Sequence, residues 1–284
     1  MDFSRDLDLD KYDSSVFLLG PRMTGKSYLL ERMQSSVYFD LLDPEQEISY
    51  QSNPKKFYEE LLAIAKGSTV IVDEIQRVPS LLDYVQIGIE KLGLRFVLSG
   101  SSARKLKREA TNLLAGRALL FHLHPLSFSE LGEHFDIDSV LRYGSLPKVS
   151  SLITEEKLDE ARQLLRTYSH LYLKEEIQQE AISRNIGNFT RFLQVSAQFN
   201  AQRVVYKNIA TSSGTPRSTV SHYFDILEDT LIGTRLWEYG KSEKDKSKPK
   251  FYFFDCGVLR ALQDRLYDPP TPDELGHLFE SFFF

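Results

Sequence analysis

Gly20-Pro21-Arg22-Met23-Thr24-Gly25-Lys26-Ser27 satisfies G-x-x-x-x-G-K-[ST], a spacing whose chemistry is phosphate binding. Glycines at 20 and 25 let the backbone curl so that consecutive N–H groups face phosphate oxygens, and a helix opening near Lys26 adds its positive end. In that frame Lys26 reaches the β- and γ-phosphates of ATP, and Ser27 places its hydroxyl on Mg2+. The plain alternative is a glycine-containing strand-to-helix turn. The apolar strand before the motif, the helix after it and an acidic partner downstream all weigh against that.

The partner is Val70-Ile71-Val72-Asp73-Glu74, an apolar strand ending in two carboxylates. Asp73 is placed to hold Mg2+, directly or through water. Glu74, projecting on the other side of the extended chain, is placed to orient or deprotonate a water. A third strand, RFVLSG, ends near Ser99, Ser101 and Ser102; Ser99 or Ser101 reads as a phosphate sensor, with capping of a following helix as the alternative. ARKLKREATNLLAGR then carries five basic residues against one acid. Arg117, at its end, reads as an arginine finger acting within the chain or across a subunit interface, whereas Arg104, Lys105, Lys107 and Arg108 read as a solvated loop.

The elements that position these residues alternate. Strands are expected at 16–20, 37–42, 69–74, 95–101 and 117–124, with helices over about 26–34, 55–66 and 81–92, the pattern of βαβ units and a parallel sheet. After Pro125 the periodicity turns helical, notably over Leu152–Gln179 and Asn188–Phe199. The division expected is an ATPase domain over 1–135, a helical region over 136–199, a winged-helix-like domain over 200–262 and the start of a further region over 263–284. YKNIATSSG, Thr215-Pro216 and RSTVSHYFDILED spell a helix-turn-helix. Arg217, Ser218, Ser221 and His222 would then lie on the exposed face of its second helix, suited to duplex DNA, with Tyr223, Phe224, Ile226 and Leu227 inward. Lys241, Lys244, Lys246, Lys248 and Lys250 against Glu243 and Asp245 give the following hairpin tip 5 − 2 = +3. A packing or oligomerisation module is the competing reading, and the nearby Asp225, Glu228 and Asp229 leave the two open.

A net charge of 35 − 40 = −5 over 284 residues removes a surface uniformly suited to nucleic acid, so any such contact is local. The single cysteine, Cys256, forms no internal disulfide, reads as an inert buried thiol, and belongs to no Cys/His cluster with zinc spacing. The acidic start lacks signal-peptide order and no apolar run reaches membrane-spanning length. A soluble cytoplasmic protein is expected.

GPRMTGKSYLL, VIVDEIQRVPSLL, FVLSGSSARKL and LLAGRALLFHLHPLSFSEL together resemble the prokaryotic AAA-type ATPase family whose C-terminal part is domain of unknown function 4143. YSHLYLKEEI, RNIGNFTRFLQVSAQ, STVSHYFDILEDTLIG and KPKFYFFDCGVLRAL extend the resemblance over nearly the whole chain. It implies that Gly20 to Ser27 bind nucleotide, that Asp73 and Glu74 handle magnesium and water, that the SGSS strand and Arg117 complete the site, and that a winged helix follows at about 200–255. Such chains commonly continue into a nuclease-like domain that these residues do not contain. The expected activity is Mg-dependent ATP hydrolysis by an AAA-type ATPase that is a candidate homo-oligomer. A low-turnover nucleotide switch is one alternative. The other is a P-loop kinase, against which the adjacent Asp73 and Glu74 stand.

Overall fold

The computed structural model describes residues 2–35, 37–102, 116–172, 186–239 and 248–284. The chain divides into two compact units, Arg5–His124 and a second made of Met1–Ser4 with Pro125–Phe284.

The first unit is built on five parallel strands, β1 (Ser15–Leu19), β2 (Val37–Asp40), β3 (Thr69–Asp73), β4 (Arg95–Gly100) and β5 (Ala118–His122), ordered β2-β3-β4-β1-β5. β1, β3 and β4 are near-continuous apolar runs because strands covered on both faces leave no side for polar residues. Val16, Leu18, Ile71 and Val97 meet Leu9 and Leu30 in one buried cluster. β5, at the sheet edge, leaves Leu119 and Leu120 exposed. Register aligns the strand ends: Leu18 lies beside Ser99, Leu19 beside Gly100, and Val72 beside Leu98. The residue after Val72, Asp73, and the residue after Leu19, Gly20, therefore reach the same C-terminal edge, with β4 between them.

Helix α1 (Lys26–Glu31) follows β1, and α4 (Leu81–Ile87), extended by a π-turn over Gly88–Leu92, precedes β4. Between β2 and β3 lie two helices, α2 (Pro44–Ser52) and α3 (Pro54–Leu61). Only the second was expected. α2 has one buried side chain, Tyr50, so it shows no apolar period; it is set by its start, where Asp43 accepts from the Glu45 N–H at 2.9 Å and Pro44 occupies the first turn. Tyr50 joins Phe39 and Phe57 in an edge-to-face trio with centroids 4.9–6.0 Å apart.

The second unit is mainly helical: α5 (Phe128–Leu131), α6 (Ile137–Tyr143), α7 (Pro147–Thr154), α8 (Leu158–Thr167), α9 (Ile186–Ala197), α10 (Tyr206–Ser213), α11 (Arg217–Asp229), an antiparallel pair β6 (Gly233–Leu236) and β7 (Lys250–Phe253), then α12 (Cys256–Leu262) and α13 (Pro272–Phe283). The compact units divide at 124/125, and Leu126 and Leu131 pack with Phe3 and Val140 of the helical unit. The helix expected from Leu152 breaks at Glu156, whose φ is 59°. There the Lys157 N–H returns to the Leu152 carbonyl at 2.8 Å, a Schellman-type closure. Residues 173–179 of that expected helix lie outside the described residues.

α9, α10, α11 and the β6–β7 pair share an aromatic core in which Phe192 meets Phe224 at 5.1 Å and Phe224 meets Phe251 at 4.9 Å. Asp255 caps α12 by accepting from the Val258 N–H and reaches back to accept from the Ser145 N–H, each at 2.9 Å. Gly144, with φ 74°, is required here, since a Cβ would collide with that carboxylate. The last helix belongs to the same unit: Leu278 is buried and its carbonyl accepts from the Cys256 thiol at 3.4 Å.

Candidate functional site

The loop from Gly20 to Gly25 turns where its sequence permits. Gly25 is left-handed, φ 90°, and so is Met23, φ 65°. Gly20 is needed for a different reason, because a Cβ would strike the Leu123 carbonyl oxygen. The loop braces itself: the Thr24 hydroxyl donates to the Pro21 carbonyl at 2.9 Å. Arg5 adds an outer clamp, donating to the Thr24 carbonyl at 3.4 Å and the His124 carbonyl at 2.7 Å. Its charge, after burial, also lowers the His124 pKa. α1 spans six residues, so the macrodipole contributes less here than the loop's own amides.

Lys26 is 5% exposed and curls back over the loop, its ammonium donating to the Gly20 and Pro21 carbonyls at 2.8 and 3.1 Å. Glu74 Oε1 lies 3.9 Å from it. Ser27, the second residue of α1, is half-buried, as are Arg22 and Met23, whereas Pro21 and Thr24 are buried.

Asp73 and Glu74 do not continue as an extended pair on opposite sides of a strand. Glu74 is left-handed, φ 57° and ψ 46°, a conformation costing on the order of 1 kcal/mol or more for a residue with a Cβ. The turn brings its carboxylate toward Lys26. One hydroxyl holds both residues: Ser99 Oγ accepts from the Glu74 N–H at 3.1 Å and donates to Asp73 Oδ1. The other Asp73 oxygen accepts from the Tyr38 hydroxyl at 2.8 Å. Burial, then the Asp73 charge, push the Tyr38 pKa well up, which keeps it a donor. Ser101 donates to Glu74 Oε2 at 3.2 Å, and Gln76 Nε2 donates to that same oxygen and to Ser101 Oγ.

Ser99 and Ser101 thus sit at the site with their hydroxyls bonded to the Asp73 and Glu74 carboxylates; the segment after Ser102, where a capped helix was the alternative, lies outside the described residues. Arg117 is not brought to this edge. It precedes β5, whose first residue pairs with Ser15 at the start of β1, five residues and about 16 Å of strand from the loop. Its guanidinium pairs with Glu90 at 2.7 Å. An arginine finger acting within the chain is therefore corrected by position. Arg104, Lys105, Lys107 and Arg108 lie outside the described residues.

Tyr38, Gln76 and Arg5 were missed in reading the sequence. Gln76 sits in the DEIQ run, two residues from Glu74, a spacing that brings it back beside Glu74 once that residue is left-handed. Nothing local marks Tyr38 or Arg5.

No three-residue His/Cys/Asp/Glu metal cluster occurs among the described residues. Ser27 and Asp73 fit a magnesium ion that keeps waters and substrate phosphates as its other ligands. The glycine-dependent loop and the ammonium folded into it fit a phosphate chain.

Residues 12–132 match the family model of an AAA domain. The first unit has a P-loop NTPase fold. Residues 134–267 match a domain of unknown function, DUF8612. Uncharacterized proteins of Mycobacterium tuberculosis and Mycobacterium bovis are each 26% identical over 275 residues, covering 94% of this chain and 60% of their own length. This P-loop chain thus spans about 60% of those curated relatives. A Walker-type ATPase of Pyrococcus abyssi has a similar fold, TM-score 0.58 at 17% identity, over 90% of this chain and 92% of its own.

In the helical unit, α11 exposes Arg217, Ser218 and His222, half-buries Ser221, and buries Tyr223, Phe224, Ile226 and Leu227. Lys248 is exposed, but Lys250 lies in β7 and pairs with Glu280 at 2.5 Å, so it does not belong to a basic tip. Lys241, Lys244 and Lys246 lie outside the described residues. Cys256 is buried, and burial pushes its thiol pKa well up. No described helix is long and apolar enough to cross a membrane.

Proposed function

We propose that the AAA domain binds ATP with magnesium and hydrolyses it, and that the α9–α11 and β6–β7 segment is a winged helix whose partner is duplex DNA. The observation that carries the ATPase reading is the convergence of Lys26, Asp73 and Glu74 at one strand edge, with Glu74 turned back toward the loop.

Amides from Gly20 to Ser27 cradle the phosphates. Lys26 exchanges the Gly20 and Pro21 carbonyls for β- and γ-phosphate oxygens. Magnesium, held by Ser27 and Asp73, would supply positive charge to the phosphates. Tyr38 and Ser99 keep the Asp73 carboxylate oriented from behind. Glu74 orients water and takes its proton as the water oxygen bonds to the γ-phosphorus and the bond to the β–γ bridging oxygen breaks. A kinase would need an acceptor in place of that water, whereas an acidic pair suits water activation. Arg117 remains a candidate for action across a subunit interface only.

The test is magnesium-dependent phosphate release, with Lys26→Ala as control and Glu74→Gln as trap. Release reduced to background by Lys26→Ala and lowered about a hundredfold or more by Glu74→Gln, with ATP binding retained in Glu74→Gln, supports hydrolysis. Tight ATP binding without release identifies a nucleotide switch instead. Stimulation of release by duplex DNA, lost in Arg217→Ala, supports the DNA partner.

A further inference from the structure

Gln76 is 7% exposed, and its amide is used on one side only. Nε2 spends its two hydrogens on Glu74 Oε2 and Ser101 Oγ, the latter at 3.1 Å. Oε1 has no hydrogen-bond partner among the described residues. Exchanging the amide's oxygen and nitrogen would set a carbonyl against the Glu74 carboxylate, with only the Ser101 hydroxyl left to donate to it, so the chemistry fixes this orientation.

A buried amide with an unmet acceptor costs stability, by about 1–3 kcal/mol for such a group, and an apolar side chain of that size would cost less. Something other than packing therefore accounts for a glutamine here. Its donors fall on one oxygen of one residue. With Oε2 occupied by Gln76 and Ser101, Glu74 has Oε1 alone turned toward the Lys26 side of the site. The left-handed backbone of Glu74 would otherwise leave a three-bond side chain to sample several rotamers.

We infer that Gln76 is the positioning residue for Glu74. Through Nε2 it selects which carboxylate oxygen meets water, and it holds that oxygen at a fixed place relative to Lys26. The inference rests on the ATPase reading, with Glu74 as its base. Fixing a base to within an ångström is worth as much as a hundredfold in rate, whereas phosphate binding by the loop does not depend on it.

The experiment is a double-mutant cycle on phosphate release, with ATP affinity measured separately by a fluorescent ATP analogue. Gln76→Met keeps volume and removes the donors; kcat should fall about tenfold to a hundredfold, with KM and analogue affinity within about twofold of wild type. Gln76→Glu, which sets a second carboxylate against Glu74, should be at least as impaired. In the Glu74→Gln background, Gln76→Met should have no further effect, since a residue acting through Glu74 has nothing left to position. Should Gln76→Met not fold, Ser101→Ala removes the shared hydroxyl from the other side and should show the same kcat loss and the same silence in Glu74→Gln. An unchanged kcat in Gln76→Met, or losses that multiply in the double variant, would overturn the inference while leaving the ATPase reading intact. Wild-type release no greater than that of Lys26→Ala would overturn the ATPase reading and this inference together.

Discussion

The two units bury charge for opposite purposes. In the helical unit Arg260 is tied to its neighbours: it pairs with Glu274 and donates to the Arg265 and Asp268 carbonyls at 2.5 Å, leaving a side chain only 1% exposed. In the P-loop unit Lys26 has carbonyls at hydrogen-bond distance but its nearest carboxylate at 3.9 Å, and the two acidic residues are held by neutral hydroxyls and an amide. Charges satisfied by ion pairs with good geometry tie elements together. At the strand edge beside the phosphate loop, charges held only by neutral donors and acceptors keep their electrostatic demand for something that arrives later.

Substitutions should separate these uses. The largest effect is expected on activity in the P-loop unit. Lys26→Ala should reduce phosphate release to background, and Glu74→Gln should lower kcat by about a hundredfold or more, while urea midpoints move little in both. A large loss of stability in either would show that these charges also hold the fold, and would erase the contrast. In the helical unit the pattern should reverse. Arg260→Met leaves Glu274, 10% exposed, with Arg265 at 3.4 Å and the Thr271 N–H at 3.4 Å as its partners among the described residues, and should cost about 3 kcal/mol in urea unfolding. ATP affinity at low temperature should be unchanged.

Asp255 sharpens the contrast through pH. Burial pushes its pKa from the ordinary 3.8 up to about 6, against the opposing donors of Val258, Ser145 and Gly257. The folded state therefore binds the proton more tightly than the unfolded chain does. This contribution to stability is complete below about pH 4 and is lost as pH rises through about 6, amounting to at most about 3 kcal/mol. Urea unfolding at pH 5, 6 and 7 should show the helical unit more stable at pH 5 on this account, and Asp255→Asn should flatten that slope. A slope of the opposite sign would mean that the three N–H donors outweigh burial.

What could be read in advance follows the same division. The five strands and the G-x-x-x-x-G-K-S loop were legible because each is local: apolar runs punctuated by glycine, and a spacing that needs no tertiary partner. α2 was illegible by period, since only Tyr50 faces inward, and was marked only by Asp43 and Pro44. Glu74 was expected on an extended backbone; it is left-handed instead, and its N–H is met by Ser99, 25 residues away. Tyr38 reaches Asp73 across 35 residues, a pairing set by strand order rather than by any motif. Arg117 failed as an in-chain finger for the same reason: a Gly-Arg pair before a parallel strand lies at that strand's N-terminal end, and the phosphate loop lies at the other.

The smallest effect belongs to the exposed face of α11. Arg217, the first residue of α11, is exposed, so Arg217→Ala should leave unfolding within about 0.5 kcal/mol of wild type. If the segment is a winged helix on duplex DNA, the same substitution should weaken binding several-fold. A phosphate contact would lower the salt slope of log K by about 1 with little change in sequence preference, whereas a base-edge contact would relax preference at one position. Asp225, exposed one turn beyond Ser221 and His222 and paired with Arg235 at 2.5 Å, limits how far along α11 a phosphate backbone can run. Asp225→Asn should therefore tighten duplex binding slightly if DNA lies along this face, and have no such effect if the face meets protein.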